Sequence, residues 1–296
     1  MRFTWTRKLG YNGVDEIIIN EGGQTMSEQA QTVAAETEPL LVRHEPPLGW
    51  LVLNRPQVRN ALNLHTWQLI VKGVAELRDD PDVRVIIMRG ATPEAFISGA
   101  DISEFPSLRA NAEQARIYRE APGNATSALV NCPKPVIAMI AGICIGGGLQ
   151  VALACDIRIG ARGTRLGVPA ARLGLAYPLD GVMSLVQVCG PANARDILMS
   201  ARIFDAEEAY AMGLLNKLVE PAELEDHVRQ YATRMASNAP LTMAAAKATI
   251  REALKDGAER DLTTIAAMVS GCFDSEDYRE GVRAFMEKRS PRFAGS

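Results

Sequence analysis

Two glycine-containing segments, each placed after an apolar strand pattern, constrain the fold of this chain more than any other feature. Gly146–Gly148 opens a short predicted helix that runs to Ala154, and Phe96–Ile102 follows the β-branched pattern Val83–Arg89. Glycine allows unusual turns and a close backbone approach. At a helix entrance the first N–H groups lack partners and the helix dipole is positive. Together the segments predict a site for a developing negative charge.

The order of strand, turn and helix signals recurs and predicts an α/β layer architecture built from ββα turns. Helical spacing of apolar residues marks Leu64–Leu77 as a helix. Apolar, β-branched runs bounded by turn residues predict four strands, namely Trp50–Leu53, Val83–Arg89, Pro135–Ala141 and Cys155–Ala161. Each glycine segment follows one of these predicted strands along the chain.

The character of the chain changes near Glu220, where continuous helical patterns begin. They cover Pro221–Ser237, Pro240–Lys255, Glu259–Phe273 and Ser275–Arg289. We expect a core at 39–220 and a C-terminal helical section at 221–296 that is too small to form a strong core and needs neighbours. The segment 1–38 is interpreted as a disordered leader or an over-extended gene start.

Composition narrows the class of protein. The formal net charge is −3 at pH 7, which does not indicate nucleic-acid binding. The five cysteines are odd in number and lack metal-ligand spacing, so we expect no metal site and a reducing, cytoplasmic compartment. Apolar runs stay shorter than the roughly 20 residues of a membrane-spanning helix, so no membrane partner is expected.

The chain resembles the crotonase (enoyl-CoA hydratase/isomerase) superfamily over roughly residues 40–293. The matching residues are Leu53–Pro56 with Arg59–Leu62, Phe96–Ile102, Pro133–Ala138, Gly142 with Gly146–Gly148, Ala154–Asp156 and Glu280–Arg289. The resemblance implies a spiral of ββα turns and an acyl-CoA substrate with no further cofactor. It also implies a C-terminal helical section that packs between subunits of a homotrimer or a dimer of trimers.

The resemblance also implies residue roles. The N–H groups of Ser98 and Gly147 would form an oxyanion hole for the thioester carbonyl. Coenzyme A would lie along Arg59–Ala61 and Ala100–Ile102, with Arg59 on its phosphates and Phe285 and Lys288 supplied by a neighbouring subunit. The residues expected to bind substrate are therefore Arg59, Ala61, Ser98, Gly99, Ala100, Asp101, Ile102, Gly146, Gly147, Phe285 and Lys288.

The sequence departs from the family at two positions. Hydratases of this superfamily carry one glutamate two residues after the third glycine and another after a proline some twenty residues on. Here the first position is Gln150, and the second, after Pro169, is Ala170. An amide or a methyl group cannot serve as a base at neutral pH. Hydration by the two-glutamate mechanism is therefore in doubt, although Gln150 could still orient water or hold a carbonyl.

Several residues could replace the glutamates. Asp180 is the leading acid or base, unless it is only the N-cap of a helix Gly181–Cys189. Tyr177 could donate a hydrogen bond to substrate or simply pack against it. Tyr118 and Glu120 lie in a segment that in this family often borders the acyl pocket, but a solvated helix face is the role we expect for them. Asp101 fits a cap for the helix that follows it.

The expected activity, at the level of the family, is that of an enoyl-CoA hydratase/isomerase that stabilises an enolate, in fatty acid metabolism. One alternative is decarboxylation of a malonyl-type thioester, because departing CO2 leaves the enolate directly and needs no strong base. Hydrolysis or ring chemistry is also open. A further alternative is a homologue that binds acyl-CoA without turnover.

Overall fold

The computed structural model describes residues 5–8, 17–20 and 38–296. Near the N-terminus, strands β1 (Trp5–Lys8) and β2 (Ile17–Asn20) pair antiparallel. The rest of the segment 1–38, apart from Glu38, lies outside the described residues, and so does the prediction of a disordered leader or over-extended start.

A six-stranded sheet forms the centre of the molecule. Its strands are β3 (Leu40–Glu45), β4 (Leu48–Leu53), β5 (Val85–Gly90), β7 (Val136–Ile140), β9 (Ile157–Ala161) and β12 (Lys217–Val219). Their spatial order is β12-β9-β7-β5-β4-β3, and only the β3–β4 pair is antiparallel. Strand β7 is buried along its whole length, as expected of a parallel strand covered on both faces.

A second sheet of four short strands follows the first. It consists of β6 (Ala95–Ile97), β8 (Ile143–Ile145), β10 (Arg165–Gly167) and β11 (Ile203–Phe204), in the order β11-β10-β8-β6. Each of β6, β8 and β10 comes directly after a strand of the large sheet, and helical segments follow it along the chain. This repetition confirms the predicted spiral of ββα turns.

The helices are α1 (Leu64–Asp79), α2 (Phe105–Leu108), α3 (Ala112–Tyr118), α4 (Glu120–Asn131), α5 (Gly147–Ala154), α6 (Leu179–Arg195), α7 (Ala206–Ala211), α8 (Leu224–Ala236), α9 (Pro240–Ala253), α10 (Leu262–Asp274) and α11 (Glu276–Glu287). Four 3-10 segments of interest to the fold are Pro56–Val58, Ile102–Glu104, Pro169–Leu173 and Pro221–Glu223. The elements predicted from periodicity are present, with ends shifted by a few residues, and α2–α4 were not predicted.

The C-terminal helices divide into two groups. Helix α8 buries Val228 and Ala232 against the face of the large sheet that carries Trp50 and Ile87. It therefore belongs to the core of its own chain. Helices α9–α11 instead surround an apolar groove that is open to solvent. In the described part of the chain, no helix combines the length and apolar character needed to cross a membrane.

Candidate active site

The two glycine segments meet at the bottom of a cavity of about 1120 Å³, a volume that includes its mouth open to solvent. Strands β6 and β8 are parallel neighbours, so their C-terminal ends lie at the same edge of the sheet. One wall comes from Ser98–Ala100 and Ile145–Gly147, and a second from Val168–Ala170 and the segment Leu175–Pro178 with Asp180. Helices α2–α4 close the third side.

Glycine is required where the segments touch. Gly99 has φ 122° and Gly146 has φ 54° with ψ −116°, conformations that residues with a Cβ rarely adopt. A methyl group placed on Gly147 would lie 3.6 Å from the amide nitrogen of Ala100, an ordinary contact that shows how near the two segments are without excluding alanine. On Gly148 it would lie 2.4 Å from the Ile97 carbonyl oxygen. Helix α5 therefore begins directly against the Phe96–Ile102 loop.

The prediction that the Ser98 N–H forms half of an oxyanion hole is wrong. That N–H donates a 3.0 Å hydrogen bond to the carbonyl of Arg59, and the Ser98 hydroxyl donates to the carbonyl of Val58. Ser98 is thus tied to the preceding loop. Sequence alone does not show which N–H of the Phe96–Ile102 segment lacks a partner, because the partner belongs to a distant part of the chain.

The structure instead brings together the N–H groups of Ala100 and Gly147. Neither N–H donates a hydrogen bond to another of the described residues. Gly147 is the first residue of α5, so its N–H has no acceptor within the helix. The neighbouring N–H of Gly146 is occupied by the Gly167 carbonyl at 2.8 Å, and that of Asp101 by the Leu62 carbonyl. Two free donors near each other suit one anionic oxygen.

Each of the two donors belongs to a peptide group whose carbonyl accepts a hydrogen bond from another part of the chain. The carbonyl of Gly99, in the same peptide as the Ala100 N–H, accepts from the Leu62 N–H at 2.8 Å. The carbonyl of Gly146, in the same peptide as the Gly147 N–H, accepts from the Gln150 N–H at 3.1 Å. Because a peptide group is planar, these bonds fix the direction of each free N–H.

Tyr177 adds a second bond to the Gly146 carbonyl. Its hydroxyl donates at 3.2 Å, so its one proton is not available to a substrate in this arrangement. The prediction of a substrate donor therefore gives way to support of the Gly146–Gly147 peptide. Burial raises the pKa of Tyr177, which keeps the hydroxyl protonated. Gly181 leaves room for the tyrosine ring, since a methyl group there would lie 2.8 Å from it.

Asn60 connects the loop before α1 to the Phe96–Ile102 segment. Its buried side chain donates to the carbonyls of Ala95 and Phe96 at 2.8 and 3.1 Å and accepts from the Arg55 N–H at 2.9 Å. The residue itself has φ 57°, and asparagine tolerates this left-handed conformation better than most residues. The Arg-Asn-Ala-Leu motif in the sequence does not by itself indicate this connecting role.

Asp101 caps the segment Ile102–Glu104, as predicted, by accepting from the N–H of Ser103. The same carboxylate pairs with Arg55 at 3.0 Å. The Ser103 hydroxyl, together with Arg55, lowers the pKa of Asp101. Because these contacts occupy the side chain, Asp101 supports the loop, and its predicted contact to substrate would have to come from its backbone.

The two positions that depart from the family both line the cavity. Gln150 lies one turn into α5, and Ala170 lies in the segment Pro169–Leu173. Asp180 lines it too and is the only carboxylate of the described residues that does so. The alternative role of Asp180 as an N-cap is wrong: α6 begins at Leu179 with Pro178 as its N-cap, and the Asp180 side chain makes no capping hydrogen bond.

The residues predicted to bind coenzyme A fall into two groups. Arg59 and Ile102 are exposed, and Ile102 lines the cavity. The Ala61 carbonyl accepts from the Arg55 guanidinium at 2.5 Å. Phe285 and Lys288 lie at the end of α11 and do not line the cavity of their own chain. Phe285 is 82% exposed and borders the apolar groove between the C-terminal helices.

The side of the cavity formed by α2–α4 contains Tyr118, which the sequence placed at the acyl pocket, and Arg109, which it did not single out. Tyr118 is buried there, contrary to the expected solvated face, while Glu120 is exposed, as that alternative expected. Burial raises the pKa of Tyr118. The Tyr118 hydroxyl and the Trp67 indole N–H lack hydrogen-bond partners in the described residues. Arg109 lies above the Tyr118 ring and lines the same wall.

Comparisons with known proteins identify the family of the chain. Residues 47–296 match the family model described as enoyl-CoA hydratase/isomerase. The chain is 34% identical to a crotonyl-CoA hydratase of Syntrophomonas wolfei over 86% of this chain and 98% of that protein. It is 33% identical to the mitochondrial methylglutaconyl-CoA hydratase of Mus musculus over 87% of this chain and 84% of the relative.

Solved structures show the same fold. An enoyl-CoA hydratase/carnithine racemase from Magnetospirillum magneticum superposes with a TM-score of 0.83 at 37% identity, covering 88% of this chain and 96% of that one. The chain belongs to the enoyl-CoA hydratase/isomerase family, and it is an enzyme of that family with an enoyl-CoA hydratase/isomerase-like function.

Proposed function

We propose that this protein binds an acyl-CoA thioester in the cavity and stabilises its enolate with the N–H groups of Ala100 and Gly147. The observation that carries the proposal is the adjacency of two N–H groups without acceptors, each in a peptide group whose carbonyl is anchored. Such donors bind an enolate oxygen more tightly than a ground-state carbonyl, which is the difference that lowers a barrier.

Asp180 is the proposed acid or base of the reaction. It lines the cavity, it is free of a capping role, and the positions of the two family glutamates hold Gln150 and Ala170. Gln150 would orient water or a carbonyl without exchanging protons. A hydration or isomerisation that uses Asp180 is the first candidate reaction, in keeping with the crotonyl-CoA hydratase among the relatives.

Decarboxylation of a malonyl-type thioester is the second candidate. It is favoured by one specific observation, namely that Asp180 is the single carboxylate lining the cavity in the described residues. Loss of CO2 generates the enolate without removal of a proton by a base, so an oxyanion hole and a proton donor suffice. Gln150 and Ala170 are compatible with such a site.

A homologue that binds acyl-CoA without turnover is the proposal least supported. Gly99 and Gly146 hold conformations that few other residues accept, and they serve to place two free N–H groups side by side. Backbone held in sparsely populated conformations is typical of functional sites. A protein that only holds the coenzyme would not need this arrangement.

The test is a screen of purified protein against acyl-CoA thioesters, with products weighed by mass spectrometry. Addition of water, loss of CO2 and release of coenzyme A each give a different mass. Loss of the enoyl absorbance of crotonyl-CoA would establish hydration, and CO2 release from methylmalonyl-CoA would establish decarboxylation. No change in any thioester, with binding intact, would support the non-catalytic alternative and contradict the proposed turnover.

Asp180→Asn then tests the acid or base. If Asp180 moves a proton in the reaction, turnover falls by about 100-fold or more, because general acid–base groups contribute about that much. Asp226→Asn is the matched control, since Asp226 also lies in the first turn of a helix and is exposed, away from the cavity. Full activity of Asp180→Asn would remove Asp180 from the mechanism.

The remaining proposals concern the setting of the enzyme. We propose a homotrimer or dimer of trimers, in which Phe285 and Lys288 of one subunit reach the coenzyme A of the next. Coenzyme A enters as part of the substrate, and we propose no other cofactor. A cytoplasmic location and a role in fatty acid metabolism complete the proposal, supported by five free cysteines and by the relatives that act on enoyl thioesters.

A further inference from the structure

Arg109 is an arginine without an anionic partner in the wall of the active-site cavity. Its guanidinium carbon lies 4.2 Å from the centre of the Phe105 ring and 5.3 Å from that of Tyr118. Among the described residues, no carboxylate lies within ion-pair distance of it, and its side chain makes no hydrogen bond to a carbonyl. The aromatic contacts fix the position of the charge without neutralising it.

Three other arginines that are partly or fully buried each have an ion-pair or hydrogen-bond partner. Arg55 pairs with Asp101 at 3.0 Å, and Arg89 pairs with Glu225 at 2.6 Å. Arg158, which is buried, donates to the carbonyls of Leu214 and Cys155. Removing a guanidinium from water costs free energy unless an anion or acceptor replaces the water. Arg109 differs from these three arginines because it lines the cavity and has neither a carboxylate nor a carbonyl partner among the described residues.

A second positive charge lies near Arg109, and the carboxylate of Glu104 does not offset it. Arg119 lines the same cavity, and burial together with this second cation lowers the pKa of Arg109. The nearby Glu104 is already engaged, since its carboxylate accepts from the Leu64 N–H at 2.8 Å. The side of the cavity formed by α2–α4 is therefore positively charged. A purely hydrocarbon acyl chain would gain nothing from this charge.

We propose that Arg109 binds a second anionic group, a carboxylate carried on the acyl chain, so that the preferred substrates are CoA thioesters of dicarboxylic acids. This inference rests on the proposed function, because it assumes that the acyl chain enters this cavity from the N–H groups of Ala100 and Gly147. A planar guanidinium matches a carboxylate with two parallel hydrogen bonds, and stacking on Phe105 and Tyr118 holds it ready.

The experiment compares binding of saturated thioesters matched in carbon number, which have no double bond to hydrate. Titration calorimetry would measure succinyl-CoA against butyryl-CoA and glutaryl-CoA against pentanoyl-CoA. We expect at least one carboxylated member to bind about 10- to 100-fold more tightly than its partner, as a charge-assisted hydrogen-bonded pair would give. Arg109→Gln should abolish that preference and leave the neutral thioesters unchanged, and Arg109→Lys should restore part of it.

Arg116→Gln is the control variant, because Arg116 lies on α3, pairs with Glu113 and does not line the cavity. Equal binding of both members of every pair by the unaltered protein would overturn the inference while leaving the proposed function standing. Equal loss of neutral and carboxylated binding in Arg109→Gln would overturn it too. Failure to bind any thioester would instead contradict the proposed function itself.

Discussion

At the scale of single residues, the proposed stabilisation of the enolate depends on two peptide groups rather than on side chains. The Gly99–Ala100 and Gly146–Gly147 peptides each present a free N–H to the cavity and each have the carbonyl bound from behind. Hydrogen bonds that continue through a peptide group polarise one another, so the bond from behind also strengthens the donor in front. Residues that bind these carbonyls therefore affect the reaction without touching the substrate.

Tyr177→Phe tests this positioning role. The variant removes the hydroxyl that donates to the Gly146 carbonyl and keeps the ring that packs against Gly181. We expect kcat to fall about threefold to tenfold, with little change in KM, as the loss of one neutral hydrogen bond predicts. Steady-state kinetics on the thioester identified by the mass screen would measure it.

Tyr210→Phe is the control for that experiment, since Tyr210 is 49% exposed and lies outside the cavity. Burial raises the pKa of Tyr177, so its hydroxyl remains protonated from pH 6 to 9. The ratio of kcat for the unaltered protein to kcat for Tyr177→Phe should therefore not vary over that interval. A ratio that changes with pH, or an increase in KM alone, would contradict a positioning role.

At the scale of elements, the segment between β4 and α1 acts as a frame for the oxyanion loop. The carbonyl of Arg59 accepts from Ser98, the backbone of Leu62 bonds to Gly99 and Asp101, and the side chain of Asn60 reaches the end of β6. These bonds explain how a loop rich in small residues keeps a single conformation.

Asn60→Ala should destabilise the protein and impair catalysis together. The substitution leaves the carbonyls of Ala95 and Phe96 without the Asn60 amide and also places a Cβ-bearing apolar residue at φ 57°. A loss of about 2–4 kcal/mol in the free energy of unfolding is expected, since each unsatisfied buried group costs about 1–3 kcal/mol. Urea denaturation measures it.

The exposed Asn124 on α4 provides the comparison, because Asn124→Ala removes an amide that has no hydrogen bond in the described residues. A cost for Asn60→Ala no larger than that for Asn124→Ala would show that the frame does not depend on this side chain.

At the scale of the whole molecule, helices α9–α11 expose an apolar surface that a monomer would leave in water. Phe285 and Met286 are 82% and 76% exposed and border the groove between these helices. Large exposed apolar patches mark interaction sites. We expect the purified protein to elute as a trimer or hexamer, and Phe285→Glu combined with Met286→Glu to lower its mass to that of a monomer.

Light scattering coupled to size-exclusion chromatography measures that mass. Met199→Glu serves as the control, because Met199 is equally exposed at 76% but lies outside the groove. An unaltered protein that is monomeric at micromolar concentration would contradict the proposed assembly, and with it the expectation that Phe285 and Lys288 contact coenzyme A of a neighbour.

The sequence was sufficient for the fold and for the place of the site, but not for the individual atoms. Glycines at 99, 146 and 148 indicated the oxyanion segments because the backbone angles of Gly99 and Gly146 and the close contact of Gly148 favour glycine there. The choice of Ser98 was wrong because its N–H is occupied by Arg59, a contact made only in the folded chain. Arg109 was missed because it follows Leu108 in a mixed polar stretch without clear periodicity, where a surface role is the ordinary expectation.

The most direct test of the central claim measures the thioester carbonyl itself. Infrared difference spectroscopy of a bound acyl-CoA labelled with 13C at the carbonyl reports its polarisation whether or not turnover follows. We predict a shift of the carbonyl stretch to lower frequency on binding, retained in Gly147→Ala and largely lost in Gly147→Pro. Proline lacks the N–H yet is tolerated at the first position of a helix. An unshifted carbonyl in the unaltered protein, or a shift that survives Gly147→Pro, would contradict the account.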